Sequence, residues 1–466
     1  MAAGALPTEG RRPFFRPRDW CSFGLTSGLT LTIYLVTLAP EVATGLEGGF
    51  VTGAFYAGVP APPGFPLWTL YAHAFCRLPL FNPAWRVAVS SALAGSFACG
   101  LVALMVCRSG SEMLRAASPS KDAGLSPDDG RKLVVVSGVA AGAGLGFDGS
   151  IWPSAVVPGP WTLTVLLLAA VLCLLMRWVY EPDRRRYLYG AALVYGLGLS
   201  NSQLLFAAAL GLEILVMLGD RRLARQICLV NTFLFGAGLW AWHRGDWPIM
   251  EAYAREWNVL CLLYFAVGTA SALTCGVMII RSGRLFCECR AASNCGFLVL
   301  LGLSIHLYSP VASMTNPPVN WAYPRTAEGF IHLVTRGQYE GISPTASWGR
   351  YFGQLGMYVG LTWKDLGALY DLAAILALSL IPTLRSRERR WMLGLLAVYL
   401  CLVLVVLVVL NPSFAGNSRA ACRVFFSLSH VVLAVWAGYG LVLLGARVSG
   451  GGWAHVEPHG GSRAAA

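Results

Sequence analysis

Residues 46–68 read LEGGFVTGAFYAGVPAPPGFPLW, a stretch too rich in glycine and proline for a regular helix and too apolar for an ordinary solvated loop. It holds one charge, Glu47, and follows directly on a hydrophobic segment that closes at Ala39-Pro40. A lone carboxylate beside a membrane-sized segment is costly unless something pairs it or uses it. The run Pro60-Ala61-Pro62-Pro63-Gly64-Phe65-Pro66 stiffens the chain and removes backbone donors. The simplest reading is a rigid outer loop, partly inserted, that walls a cavity, because irregular backbone is tolerated at that depth only where protein or a wet cavity covers it.

The rest of the chain sets this loop in a membrane. Of its 466 residues 56% are hydrophobic and 12% charged, with a mean hydropathy of +0.59, whereas roughly a quarter of the residues in a soluble domain are charged. Apolar runs near the length needed to span a bilayer occur at 22–39, 86–107, 133–147, 161–178, 187–199, 203–218, 226–243, 258–281, 296–311, 366–384, 391–410 and 425–446. The fifth and sixth of these form one over-long stretch that Ser200-Asn201-Ser202 interrupts, which makes it a short hairpin. The expected fold is an all-α integral membrane protein of about 12 transmembrane helices with two structured outer loops, 41–86 and 312–365.

Each extra or missing span would flip every later loop, so the basic residues test the count. With the N-terminus inside, 25 of the 35 Lys and Arg fall on cytoplasmic segments and 10 on outer ones. The expected protein is multi-pass with both termini cytoplasmic: a basic segment 1–20, a membrane domain 21–447 and a flexible tail 448–466. The first apolar run follows Arg11 to Arg18 with no small-residue cleavage pattern, which reads as a signal anchor. The net charge of +12 reflects the inward bias and contact with anionic lipid rather than nucleic acid. Thirteen cysteines give no disulfide framework, and Cys287, Cys289 and Cys295 lack the spacing and histidine partner of a zinc site.

Without a soluble domain, chemistry must take place in or beside the bilayer. Glu47 is a candidate general base or metal ligand, with pairing to Arg77 or Arg86, or capping of a short helix, as the plain alternatives. In the second outer loop Trp321 and Tyr323, among other aromatics, interleave with Arg325, His332, Arg336, Arg350 and Lys364, a combination suited to a sugar or a phosphate. His332 and Arg336 share a helix face, and Arg419 and Arg423 repeat that four-residue spacing before the last span. Such arginines serve equally as bidentate phosphate clamps or interface anchors. Asn201 and Gln203 in the hairpin, and Asp148 in GFDGSIWP, either contact ligand or satisfy freed backbone groups. His306 and His430 read as hydrogen-bonding within the bundle.

These pieces, in order, resemble the transmembrane protein 260-like protein O-mannosyltransferases, once a bacterial domain of unknown function. The resemblance runs from about residue 22 to 447 and is carried by LAPEVATGLEGGFVTGAFYAGVPAPPGFPLWTLYAHAF with FNPAWRVAVSSALAG, WPSAVVPGPWTLTVLLLA, YGLGLSNSQLLFAAALG, NPPVNWAYPRTAEGFIHLVTRGQYE and CRVFFSLSHVVLAVWAGYGL. It implies a GT-C-like polytopic glycosyltransferase that takes a sugar, mannose, from a polyprenyl-phosphate donor on the non-cytoplasmic side of a bacterial inner membrane. Glu47 would then be the base or the ligand of a divalent metal ion, Arg336, Arg419 and Arg423 would bind the donor phosphate, and Trp321, Tyr323, His332, Asn201 and Gln203 would bind sugar or acceptor. The family's acids fall here on Leu46, Gly49 and Gly159, and its histidines on Ala61 and Ser202. Two rival functions follow: a catalytically inactive member serving as a membrane scaffold, and a transporter or flippase for a lipid-linked substrate. No half-repeat accompanies the second.

Overall fold

Helices begin where the sequence supplies partners for their first N–H groups or a proline that needs none. Pro17 opens the first helix, and the buried Asp19 accepts from the Arg16 backbone N–H at 2.8 Å. Ser126 caps another, accepting from Asp129 N at 3.1 Å with Pro127 next in line. Asp220 accepts from Arg222 N at 2.8 Å at the head of a third.

The computed structural model describes residues 13–42, 46–117, 126–245, 259–283, 288–335, 344–345 and 347–449. In chain order the helices are α1 (Pro17–Val36), α2 (Glu47–Phe55), α3 (Pro66–Cys76), α4 (Pro83–Ala117), α5 (Pro127–Gly146), α6 (Ile151–Ala155), α7 (Trp161–Tyr180) and α8 (Arg186–Asn201). A 3₁₀ turn at Gln203–Ala208 leads into α9 (Ala209–Gly219), then α10 (Arg221–His243), α11 (Val259–Ser282), α12 (Cys289–Leu303), α13 (Tyr308–Met314) and α14 (Ala327–Thr335). The chain closes with α15 (Trp348–Leu366), α16 (Ala368–Ser379), α17 (Ser386–Leu410) and α18 (Gly416–Val448). Among the described residues the non-helical pairing is an isolated bridge between Val59 and Asn320.

The core is a helical bundle. α1 and α5 pack on α4, α18 runs against α5, α16 and α4, α7 lies between α4 and α8, and α9 packs on α17. Trp68, Trp178, Trp391, Trp436, Tyr34, Tyr358 and Tyr439 are the largest fully buried side chains. Where α8 crosses α12, a Cβ on Gly196 or Gly302 would overlap the facing backbone, so glycine sets that approach. α10, α11 and α12 turn Phe233, Leu273, Ile280 and Phe297 outward, an apolar exterior suited to lipid.

Each of the twelve apolar stretches is helical over most of its length, and the hairpin breaks at Ser202 as expected. Among the described residues, seven helices are long and apolar enough to cross a membrane, or eight if α15 and α16, bent by 113° at Gly367, count as one. The protein is therefore an all-α, multi-pass membrane protein, and the count of twelve goes further than helix length and composition carry it. α1 shows why. Ser22, Thr26, Ser27 and Thr30 are buried against neighbouring helices, and hydroxyls such as Ser22 Oγ and Thr30 Oγ1 donate to carbonyls of their own helix at 2.8 and 2.9 Å. A helix covered by others tolerates such polarity where a lipid-facing one would not. Cys289 and Cys295 are free thiols, and Cys287 lies outside the described residues.

Candidate active site

Glu47 is the first residue of α2, where a carboxylate meets the positive end of the helix dipole. Beyond Phe55 the chain runs irregularly through Ala57 and Gly64, both at positive φ, to Phe65, whose φ is 42°. The segment is a buried wall: Val59, Phe65 and Trp68 are at most 3% exposed. Several of its backbone groups are paired. Gly58 N donates to Gly53 O at 2.8 Å, Val59 N to Val319 O at 2.9 Å, and Trp321 N to Val59 O at 3.1 Å. Tyr308 OH donates to Ala57 O. These bonds join the segment after α2 to residues 316–323, and Val59, Ala312 and Leu333 form a small apolar cluster between them.

The basic residues of the first loop serve its backbone. Arg86 Nη1 donates to Cys76 O at 2.6 Å and Leu78 O at 2.9 Å, and Nη2 to Phe81 O at 3.1 Å. His73 bridges Ala54 O at 2.8 Å and Arg77 Nη2 at 3.1 Å, so Nδ1 carries the proton and Nε2 accepts. In the second loop residues 316–323 line an open depression of about 510 Å³. Trp321 and Tyr323 stand in it with 48% and 59% of their surface exposed. Arg325 lies 5.6 Å from the Tyr323 ring and donates to Asn316 Oδ1 at 2.7 Å. His332 projects from α14 as an exposed side chain.

Two other predicted residues are held by protein. Asn201 Nδ2 donates to Thr164 Oγ1 at 2.8 Å and Pro160 O at 3.2 Å, while its buried Oδ1 has no partner. Gln203 Nε2 donates to Val334 O and so ties the hairpin to α14. Arg336 lies outside the described residues, and Arg419 is described only in its backbone, within α18. Arg423 makes a two-point pair with Asp365, whose carbonyl accepts from Gly149 N at 3.2 Å.

Beside that pair is a second one the sequence did not reveal. His430 Nδ1 lies 2.9 Å from Asp148 Oδ2 with both side chains buried, and His430 Nε2 has no partner. Asp148 also accepts from Ser150 N at 2.8 Å and Ile151 N at 3.1 Å, which starts α6. Burial pushes its carboxyl up, but His430 and the Ser150 donors outweigh that and hold it below the ordinary carboxylate range. The DGS turn was the one local signal for this arrangement. The partners stand 282 and 58 residues apart, beyond the reach of any spacing rule.

An aromatic chain connects the two clusters. Phe50, three residues after Glu47, packs on Phe65 with centroids 5.6 Å apart, Phe65 on Trp161 at 6.1 Å, and Trp161 on Phe425, two residues after Arg423, at 5.2 Å. One continuous apolar wall thus runs from the Glu47 helix to the Arg423 helix. Among the described residues no three His, Cys, Asp or Glu side chains converge to hold a metal ion.

Residues 47–224 match the family model described as the protein O-mannosyl-transferase TMEM260 N-terminal domain. Among solved structures, the crystal structure of ArnT from Cupriavidus metallidurans bound to undecaprenyl phosphate is 13% identical, with a TM-score of 0.30 over 93% of this chain and 78% of that one.

Proposed function

We propose that this chain, whose residues 47–224 match the model of the protein O-mannosyl-transferase TMEM260 N-terminal domain, is a GT-C-like membrane glycosyltransferase. It transfers a sugar, mannose, from polyprenyl phosphate to an acceptor hydroxyl on the non-cytoplasmic face of a bacterial inner membrane. The observation that supports this best is the bonding of Val59 to Val319 and Trp321, which sets the Glu47 loop against the exposed aromatic depression. A carboxylate, a sugar-sized aromatic surface and arginine then share one end of the bundle.

The reaction needs a base and a stabilised leaving group. Glu47 takes the proton of the acceptor hydroxyl as its oxygen attacks the anomeric carbon. The carbon–oxygen bond to the donor phosphate breaks, and its electron pair leaves with the lipid phosphate. Arg423 stabilises that charge. Asp365 engages its Nε and one Nη2 proton, and a guanidinium has five N–H donors, so three remain. Arg336 and Arg419 complete the phosphate contact, Trp321 and Tyr323 stack on sugar or acceptor, and His332 donates to its hydroxyls. Asn201 and Gln203 shape the wall through the carbonyls they hold.

A second reading has its own support. Asn201, Gln203, Arg86 and Arg423 are all engaged with protein, as expected of a scaffold that has left catalysis. Purified protein in nanodiscs, given polyprenyl-phosphate mannose, separates the two. Release of polyprenyl phosphate above that of empty discs is expected of the enzyme, and donor binding without release under any acceptor condition contradicts it.

A further inference from the structure

At the end of the bundle opposite the Glu47 loop, three membrane helices converge on a polar cavity of about 390 Å³. Its walls are Arg108 and Glu112 of α4, Tyr180 at the end of α7, and Arg385, Arg387 and Glu388 where α17 begins. Arg108 is 22 residues along α4 from Arg86, or about 33 Å at the helical rise, close to the thickness of a hydrocarbon core. The cavity therefore lies at head-group depth on the arginine-rich side. Phe14 closes one flank, packed on Tyr180 at 5.7 Å and beneath the Arg108 guanidinium at 4.4 Å.

The walls are incompletely satisfied. Glu388 and Tyr180 are 6% and 8% exposed, yet among the described residues Glu388 Oε2 and Tyr180 OH have no hydrogen-bond partner, and neither has Arg108 Nε. Arg108 spends its Nη1 on Glu112 at 3.1 Å, which leaves the Glu388 carboxylate facing the cavity with Arg385 and Arg387. A buried donor or acceptor left unpaired is costly. An anion would satisfy the arginines but oppose Glu388, and a cation would do the reverse. A ligand carrying both charges answers both walls.

We propose that this cavity binds the head group of an aminophospholipid, with its phosphate on Arg385 and Arg387 and its primary ammonium donating to Glu388. The site is remote from the proposed active site and stands independently of that assignment. Phosphatidylcholine is the discriminating ligand: it offers the same phosphate and charge but no N–H to donate.

The test is lipid retention by the full-length protein. Protein from nanodiscs of equal phosphatidylethanolamine, phosphatidylcholine and phosphatidylglycerol is released into detergent, and bound lipid is counted by native mass spectrometry. Phosphatidylethanolamine is expected to exceed phosphatidylcholine by about tenfold, the worth of one charge-assisted hydrogen bond. Glu388→Gln is expected to reduce that ratio several-fold and Glu388→Asp to keep most of it. The ratio is internal to each sample, so partial misfolding does not mimic the effect, and Arg387→Gln, which is expected to lower retention of both lipids, checks the phosphate side. Equal retention of the three lipids, or a preference that survives Glu388→Gln, overturns the proposal. Displacement by soluble glycerophosphoethanolamine at matching concentration would overturn its lipid part.

Discussion

The two polar clusters at the loop end of the bundle are built on different principles. Around α2 and α3, Arg86 and His73 are bound to backbone carbonyls, so side chains hold the path of an irregular chain. Around α18 charged side chains hold one another, as Asp148–His430 and Asp365–Arg423. Breaking a contact of the first kind frees a carbonyl near the surface. Breaking one of the second kind strands a charge in the interior, which is far more costly. The contrast separates residues that place the site from residues that hold the bundle shut.

The largest effect is expected at the buried pair. His430→Ala leaves Asp148 without its partner and is expected to lower stability by about 3–5 kcal/mol, read as thermal unfolding in detergent. Asp148→Asn in the same background is expected to recover part of the loss, and additive losses would show that the pair is not coupled. The pair also predicts a pH dependence. The folded carboxyl titrates below its unfolded value, so its contribution is full above the ordinary aspartate range near pH 4 and fades as pH falls through the lower folded value.

Next in size is the seam between the two loops. A Cβ on Gly58 would lie 2.6 Å from Val319 O and 3.1 Å from Pro317 Cβ. Gly58→Ala is expected to cost about 1–3 kcal/mol and to slow disulfide formation between cysteines placed at positions 59 and 320. Unchanged cross-linking would mean that the loops do not depend on this contact. Arg86→Lys, which keeps the charge but loses the fork spanning three carbonyls, is expected to cost about 1–2 kcal/mol. The smallest effect has the opposite sign. Gly49 has open space around its Cβ position, so Gly49→Ala is expected to stabilise α2 by about 0.5–1 kcal/mol.

The helices were legible because apolar runs and caps are local signals. So was the break at Ser202, where three small polar residues interrupt an over-long run. The number of spans was less so, because the serines and threonines of α1 face other helices, and a hydropathy pattern cannot tell a covered face from a lipid-facing one. The residues of the first loop were legible as a rigid wall from their prolines and glycines, but their partner in 316–321 was not, since one backbone bridge leaves no periodicity. Nor were Asp365 and Asp148 as partners of Arg423 and His430. Each lies at the end of a different helix, and only the packing of α5, α15 and α18 brings them together. Arg423 was read as a candidate clamp, and the structure adds that any phosphate there must share it with Asp365.

Glu47→Gln decides whether the Glu47 loop walls an active site. Release of polyprenyl phosphate from donor is compared for wild type, Glu47→Gln and Glu41→Gln, the last being an exposed acid six residues earlier in the same loop. Release is expected to fall at least about a hundredfold in Glu47→Gln, the usual contribution of a general base, with donor binding retained and Glu41→Gln close to wild type. Equal release by all three proteins would contradict it.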